Sequence, residues 1–158
     1  MSDIDETKRF LEDYYHRSAV PSEWLTVEQS SIDLFGQATG DMDWLHTDPE
    51  RAGTEGPFDG TIAFGFWTLS MLTYLVRQSL GQNYPPGALY GLNYGFDRVR
   101  FSGIVPVGSR IRNHSKLISV ELRGASQYLV KTENTIEVEH ATRPALVAEW
   151  LVLIVFPS

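Results

Sequence analysis

An aspartate and a histidine lie five positions apart in the polar segment "GDMDWLHTDPERA", residues 40–52. Histidine is the side chain best suited to exchange a proton near neutral pH, and a carboxylate can orient its ring or share its water. On an irregular segment, Asp41 and His46 can converge on one water molecule. Alternatively, Asp41 forms an Asx-turn and His46 packs beside Trp44. The pair by itself favours this structural interpretation.

Further carboxylates flank the pair. A metal site can be drawn from four side chains, Asp41, Asp43, His46 and Asp48. However, Asp48 precedes Pro49, and an aspartate followed by a proline is typical of a helix start. We therefore expect Asp48 to cap a short helix and expect no metal. The chain has no cysteine, which excludes disulfides, thiolate nucleophiles and cysteine-based metal sites.

A second set of candidates lies on a predicted long helix, about residues 62–80. This segment contains no proline, ends before Gly81 and carries apolar residues around most of its circumference, which predicts burial on several sides. The first N–H groups of a helix have no internal partner and can hold a developing oxyanion, and Gly65 would let a substrate approach them. Alternatively, Gly65 only relieves packing. Ser70 and Thr73 could contact substrate or could bond back to the helix.

The elements that position these residues form a mainly helical first part and a strand-rich second part. The pattern of residues 1–20 predicts an N-terminal helical extension, and a short strand follows near "EWLTVEQ". A helix capped by Ser30 or Ser31 should end at Gly40. After residue 88, four long segments are rich in β-branched residues and alternate in part. This order predicts an α+β fold in which an antiparallel sheet curls round the long helix, with residues 1–158 forming a single domain.

Composition narrows the class of protein. The chain has 158 residues, 42% of them hydrophobic, and a net charge of −7. Arginine and lysine form no dense patch, so we expect no nucleic-acid partner. The acidic start does not resemble a signal peptide, and the apolar runs are too short for a bilayer. We therefore expect a soluble cytoplasmic protein with no membrane association.

Three blocks of sequence, in order, resemble a known family. They are "FGQATGDMDWLHTDPERA" (35–52), "GPFDGTIAFGFWTLSML" (56–72) and "LNYGFDRVRFSGIVPVGSRIR" (92–112). Together they are similar to the MaoC-like (R)-specific enoyl-CoA hydratases, and most similar to the single-domain branch of the nodulation-protein-N type. Three ordered blocks are more specific than one Asp–His pair, and they favour the chemical interpretation of Asp41 and His46.

The resemblance implies a hotdog fold, a five-stranded antiparallel sheet wrapped round one long helix, and a homodimer with the acyl tunnel near the subunit interface. It implies that Asp41 and His46 activate a water that adds to a trans-2-enoyl-CoA of fatty acid metabolism, giving an (R)-3-hydroxyacyl-CoA. The N–H of Gly65 would bind the thioester oxygen. No cofactor is implied, since the CoA is part of the substrate.

The sequence departs from the family pattern at three positions. Asp43 stands where an asparagine is usual, Trp44 where a proline is usual, and Phe64 where a histidine usually precedes the oxyanion glycine. Thr73 falls where some members carry a substrate-contacting serine. We count Asp43 and Phe64, with Gly65, Ser70 and Thr73, as candidate oxyanion or substrate-binding residues. Two alternatives therefore stay open: a hotdog acyl-CoA thioesterase, and a catalytically weakened homologue that binds acyl thioesters.

Overall fold

The computed structural model describes residues 3–157, so the first two residues of the predicted N-terminal extension lie outside the described residues. The helices are α1 (Asp3–His16), α2 (Gln29–Thr39), α3 (Trp44–Thr47), α4 (Pro49–Glu55), α5 (Gly65–Ser70) and α6 (Leu72–Leu80), with a 3₁₀ turn at Arg17–Ala19. The strands are β1 (Leu25–Thr26), β2 (Tyr90–Phe101), β3 (Arg110–Gly124), β4 (Gln127–Val138) and β5 (Leu146–Val155).

The five strands form one antiparallel sheet in the order β1-β3-β4-β5-β2. Along β4, buried and half-buried residues alternate from Thr132 to Val138, as a strand with one face toward the core requires. The 12-residue strand β2 forms one edge of the sheet, and most of its residues are exposed. The α+β class and the antiparallel sheet predicted from the sequence are confirmed.

The predicted long helix begins later than expected and is divided in two. Residues 61–63 are extended, because Val107 donates to the carbonyl of Thr61 and Ala63 donates to the carbonyl of Val105. These bonds join the segment to the loop between β2 and β3 and keep it extended. The helix therefore begins only at Gly65. At Met71 the ψ angle is −13°, away from the helical value of about −42°. The bond from Met71 N to Trp67 O nevertheless continues the helical path through this junction.

The helix pair forms the core with the inner face of the sheet. Trp67, Leu72 and Leu75 pack in one cluster with buried residues of β3, β4 and β5, among them Ile111, Ile136, Leu146 and Trp150. The prediction of burial on several sides is wrong for one flank: Phe66 is 71% exposed. This flank lies next to edge strand β2, beyond which the described residues form no further strand.

The ends of α2 and α4 test the helix caps and helix ends predicted from the sequence. Gly40 ends α2 with φ of 75°, a left-handed conformation that glycine adopts easily. Ser30 and Ser31 do not cap α2, because the helix already begins at Gln29 and the carbonyl of Glu28 accepts the first bonds. Asp48 caps α4 as predicted, accepting from the N–H of Arg51 at 3.0 Å.

Helix α1 closes the other end of the inner face. Leu11, Tyr14 and Tyr15 are buried against a second apolar cluster that includes Tyr128, Val130 and Ile154. Burial raises the pKa of the Tyr15 phenol, so this hydroxyl stays neutral. Across residues 3–157, none of the helices combines the length and apolar composition needed to span a bilayer.

Candidate active site

The imidazole of His46 is held by backbone atoms of the segment that precedes α5. Its Nδ1 lies 2.7 Å from the carbonyl oxygen of Ile62, and the N–H of Ile62 donates to the carbonyl of Leu45 at 3.1 Å. A carbonyl oxygen can only accept, so Nδ1 carries the proton in this bond. Nε2 of the half-buried His46 ring is thereby left as the nitrogen that can accept a proton.

Two side chains that differ from the family pattern, Asp43 and Phe64, help to position His46. Asp43 caps α3, because its Oδ1 accepts from the N–H of Leu45 at 2.9 Å. Phe64 is 4% exposed, and its ring centroid lies 3.9 Å from that of His46 and 5.3 Å from that of Phe35. Asp43 therefore sets the start of the helix that carries His46, and Phe64 packs against the imidazole ring.

Gln29 was not predicted as a site residue, yet it connects three segments around His46. Its Nε2 donates to the carbonyl oxygen of His46 at 2.7 Å and to Oδ1 of Asp33 at 2.8 Å. Its Oε1 accepts from the hydroxyl of the buried Thr61. The partners His46 and Thr61 are 17 and 32 positions away, so no local spacing in the sequence points to this residue.

Asp41 lies on the exposed loop between α2 and α3. Its Oδ1 is 3.3 Å from the N–H of Asp43, the geometry of the Asx-turn considered for this loop. Among the described contacts, no hydrogen bond joins Asp41 to His46. Within residues 3–157, no three side chains of His, Asp or Glu come together as a metal site.

Gly65 is the first residue of α5, and no described residue accepts a hydrogen bond from its N–H. A Cβ at this position would lie 3.2 Å from the Phe101 ring, closer than ordinary packing allows. The absence of a side chain at Gly65 therefore lets the Phe101 ring pack against the start of α5.

His46 and Gly65 line the same cavity, which has a volume of about 350 Å³. Thr68 of α5 contributes to one wall, and its hydroxyl donates to the carbonyl of Phe64. The opposite wall comes from the end of β2 and the loop after it, namely Phe101, Ser102, Gly103, Ile104 and Val105. These residues belong to the third sequence block, but only the fold shows that they face His46.

Ser70 and Thr73 lie elsewhere on the helix pair. Both are exposed, and both hydroxyls bond back to the helix, Ser70 to the carbonyl of Phe66 at 2.8 Å and Thr73 to the carbonyl of Ser70 at 2.9 Å. They line a smaller cavity of about 150 Å³ together with residues of β2 and β5. The structure thus groups His46, Phe64 and Gly65 and places Ser70 and Thr73 further along the helix.

Solved structures share the architecture. A monoamine oxidase regulatory protein from Archaeoglobus fulgius superposes with a TM-score of 0.72 at 24% identity, covering 87% of this chain and 88% of that one. The (R)-hydratase from A. caviae superposes with a TM-score of 0.67 at 19% identity, covering 88% and 96%. Identities this low show the fold alone, and that fold is the hotdog fold.

Sequence relatives are closer. Nodulation protein N of Rhizobium leguminosarum bv. viciae is 47% identical over 135 residues, 85% of this chain and 83% of that protein. The 3-hydroxyacyl-thioester dehydratase Z of Mycobacterium tuberculosis is 45% identical over 131 residues, 83% of this chain and 84% of that protein. The model of the MaoC like domain matches residues 13–139. The chain therefore belongs to the MaoC-like dehydratase family.

Proposed function

We propose that this protein is a hydro-lyase that adds water to a trans-2-enoyl-CoA, giving an (R)-3-hydroxyacyl-CoA, and that catalyses the reverse dehydration. The observation that carries the proposal is that His46 and Gly65 line one cavity. The bond from Nδ1 to Ile62 leaves Nε2 of His46 to accept a proton, and the N–H of Gly65 has no acceptor among the described residues. The names of two related proteins, a 3-hydroxyacyl-thioester dehydratase and an (R)-hydratase, support the same reaction class.

The proposed step needs a base, a proton source and an oxyanion donor. Asp41 and His46 hold a water molecule, and Nε2 of His46 takes one of its protons as the oxygen bonds to the β-carbon. The electrons of the double bond move toward the thioester carbonyl, whose oxygen gains charge and is bound by the N–H of Gly65. The proton held on Nε2 of His46 then passes to the α-carbon as the electrons return from the carbonyl oxygen, which completes the addition and restores the neutral imidazole without a cofactor.

The departures from the family pattern fit this proposal. Asparagine and aspartate are comparable helix caps, so Asp43 can start α3 as the usual asparagine would. Phe64 replaces a polar side chain next to the oxyanion glycine, but the donor at Gly65 is a backbone N–H and does not depend on that side chain. Both positions are therefore assigned to positioning His46 and not to chemistry.

We further propose that the protein is a homodimer that pairs through the flank formed by β2 and α5. Edge strands of this length are normally covered, and contiguous exposed apolar residues mark interaction sites. Phe66, Tyr94 and Phe101 on this flank are 71%, 61% and 49% exposed. Phe101 also lines the cavity of His46, so a second copy on this flank would help to enclose the substrate.

The test is an assay of the purified protein with crotonyl-CoA and longer enoyl-CoAs, following loss of the enoyl absorbance and release of free thiol. We expect hydration without thiol release. His46→Ala and Asp41→Asn should each lower the rate at least about 100-fold. The matched controls are His140→Ala and Asp13→Asn, both at exposed positions away from the cavity.

Three other results would contradict the proposal. Wild-type rates in both variants would show that the Asp41–His46 assignment is wrong. Thiol release would identify a thioesterase. Binding of acyl-CoA without any turnover would identify a non-catalytic homologue.

A further inference from the structure

The rings of Phe64 and His46 lie face to face at close range. Their centroids are 3.9 Å apart, and the ring planes are inclined by 33°. By comparison, the edge-to-face pair of Tyr14 and Tyr15 has centroids 5.3 Å apart. The shorter separation places the imidazole over the flat face of the phenyl ring. That face carries partial negative charge, because the π electrons lie above and below the ring plane.

The phenyl ring of Phe64 is fixed by its surroundings. Phe64 is 4% exposed, and its ring packs against Phe35 with centroids 5.3 Å apart. The tip of the ring lies over Gly36 of α2, where a Cβ atom would be only 3.3 Å from Cζ of Phe64. Water is thus excluded from most of the ring. The attraction between a cation and an aromatic face is larger when the pair is removed from water.

The charge of His46 changes during the proposed reaction. Nδ1 donates to the carbonyl oxygen of Ile62, so a proton that Nε2 takes from water turns the neutral ring into a cation. The positive charge of an imidazolium is shared by both nitrogens and therefore lies across the ring that faces Phe64. An interaction that strengthens as this cation forms lowers the barrier, whereas one that is equally strong before and after does not.

Among the described contacts, no carboxylate is bonded to the imidazole of His46. The partner of Nδ1 is a backbone carbonyl, and no other titratable side chain of the described residues lines the cavity. Charged side chains on the neighbouring elements are bonded to other groups, namely Asp33 to the Gln29 amide, Asp41, Asp43 and Asp48 to backbone N–H groups, and Arg51 to Glu55. The face of Phe64 is thus in direct contact with the developing cation, and these carboxylates are not.

We propose that the face of Phe64 stabilises the protonated imidazole of His46, and thereby the step in which this ring takes a proton from water. The inference rests on the proposed function, in which His46 is the base. Phe64 touches no reacting atom in this proposal and is a positioning residue that acts through His46. It supplies a cation-stabilising face at a position where the family pattern has a histidine.

The test replaces Phe64 with phenylalanines that carry one, two or three ring fluorines. Fluorine withdraws electrons and weakens the negative face, but it leaves the shape of the ring nearly unchanged. One measurement is the protonated fraction of His46, followed by its ring ¹⁵N signals between about pH 5 and pH 8. The other is kcat for crotonyl-CoA at a pH where the ring starts neutral. The matched control is the same fluorine series at Phe35, which packs on Phe64 and has no described ring contact with His46.

We expect the protonated fraction of His46 at a given pH and kcat to fall together as fluorines are added at position 64. Three fluorines should lower kcat about threefold to tenfold, the range that the loss of a cation–π contact produces. The series at Phe35 should leave both quantities as in wild type. A role of Phe64 in packing alone would not follow the number of fluorines, because the ring keeps its shape.

The outcomes separate this inference from the proposed function. A protonated fraction that does not change with fluorine number at position 64 would overturn the inference, and so would a kcat that stays constant while that fraction falls. Absence of crotonyl-CoA hydration by the wild-type protein would reject the proposed function. The protonated fraction would still decide whether Phe64 stabilises the cation, since this measurement needs no substrate.

Discussion

The carbonyl oxygen of Ile62 lies 2.7 Å from Nδ1 of His46 and fixes the tautomer of this ring. Because that oxygen only accepts, we expect the neutral imidazole to carry its proton on Nδ1 and to leave Nε2 unprotonated. Long-range ¹H–¹⁵N spectra of labelled protein at alkaline pH would show this, with the signal assigned by its loss in His46→Gln. A neutral ring protonated mainly on Nε2 would contradict the geometry and remove the proposed base.

Gln29 should affect turnover without touching the substrate. Gln29→Ala removes the donor to the His46 carbonyl and the acceptor of the buried Thr61 hydroxyl. We expect a loss of about 1–3 kcal/mol in the free energy of unfolding, because a buried polar group becomes unpaired. We also expect kcat to fall about tenfold or more with a smaller change in KM, as a displaced base would produce.

The control for this prediction is Gln37→Ala, at an exposed position on the same helix. Denaturant unfolding and steady-state kinetics on the two variants give the comparison. A Gln29→Ala variant that is destabilised but keeps its kcat would show that Gln29 supports the fold alone.

Two glycines allow a matched test of the approach to α5. In Gly65→Ala the new methyl group would lie 3.2 Å from the Phe101 ring, whereas in Gly53→Ala nothing lies within 4 Å. We expect Gly65→Ala to lower kcat/KM at least about tenfold by obstructing the oxyanion position. Its stability should change by less than about 1 kcal/mol, because the Phe101 side chain is 49% exposed and can move.

Gly53→Ala should be as active as wild type and more stable by about 0.4–1 kcal/mol, since alanine restricts the unfolded chain. Thermal unfolding and enoyl-CoA kinetics on both variants are the measurements. Equal activity of the two variants would remove Gly65 from the proposed site.

Phe64 offers a test of the family's usual histidine. Phe64→His would place a polar ring at a position that is 4% exposed, between the rings of Phe35 and His46. We expect the free energy of unfolding to fall by about 1–3 kcal/mol, because a buried polar group would be unpaired. We expect no gain in kcat. Chemical denaturation measures the first and crotonyl-CoA kinetics the second. A stable variant with a raised kcat would show that Phe64 weakens catalysis in this chain.

The outer face of the sheet predicts a pH dependence of stability. Arg112 donates to Oε2 of Glu137 at 2.8 Å, and Nε2 of His114 lies 2.6 Å from the same oxygen. The bond from Arg112 has the larger effect, and together the two bonds lower the pKa of Glu137. A carboxyl whose pKa is lower in the folded chain stabilises the fold above its unfolded pKa, and this contribution is lost as the pH falls through the folded value. Glu137→Gln should therefore be less stable than wild type at neutral pH and equal to it in strong acid.

Because the Glu137 side chain is 37% exposed, the difference at pH 7 should be only about 0.2–1 kcal/mol. Thermal unfolding from pH 7 to about pH 2 measures it, well past the ordinary carboxyl range. Glu133→Gln is the control, because Glu133 lies on the same face of β4 and makes no described ion pair. A difference between Glu137→Gln and wild type that persists unchanged in strong acid would rule out this ion pair as its cause.

The sequence by itself determined the features that depend on neighbouring residues. Asp48 before Pro49 specifies a helix cap, and Gly40 after an apolar stripe specifies a helix end. The alternation near residues 132–138 specifies a strand. Such signals are local because hydrogen bonds at helix ends and the two faces of a strand involve only nearby residues. They were sufficient for the α+β class.

Only the tertiary structure decided which residues meet. The His46 ring is held by Ile62 and Phe64, and its carbonyl by Gln29, all from other segments of the chain. The start of α5 at Gly65 likewise depends on the backbone bonds that residues 61 and 63 make with residues 107 and 105. Helix propensity does not predict these bonds. These contacts form because the sheet curls round the helix pair, and a one-dimensional pattern does not contain the distances that such packing creates.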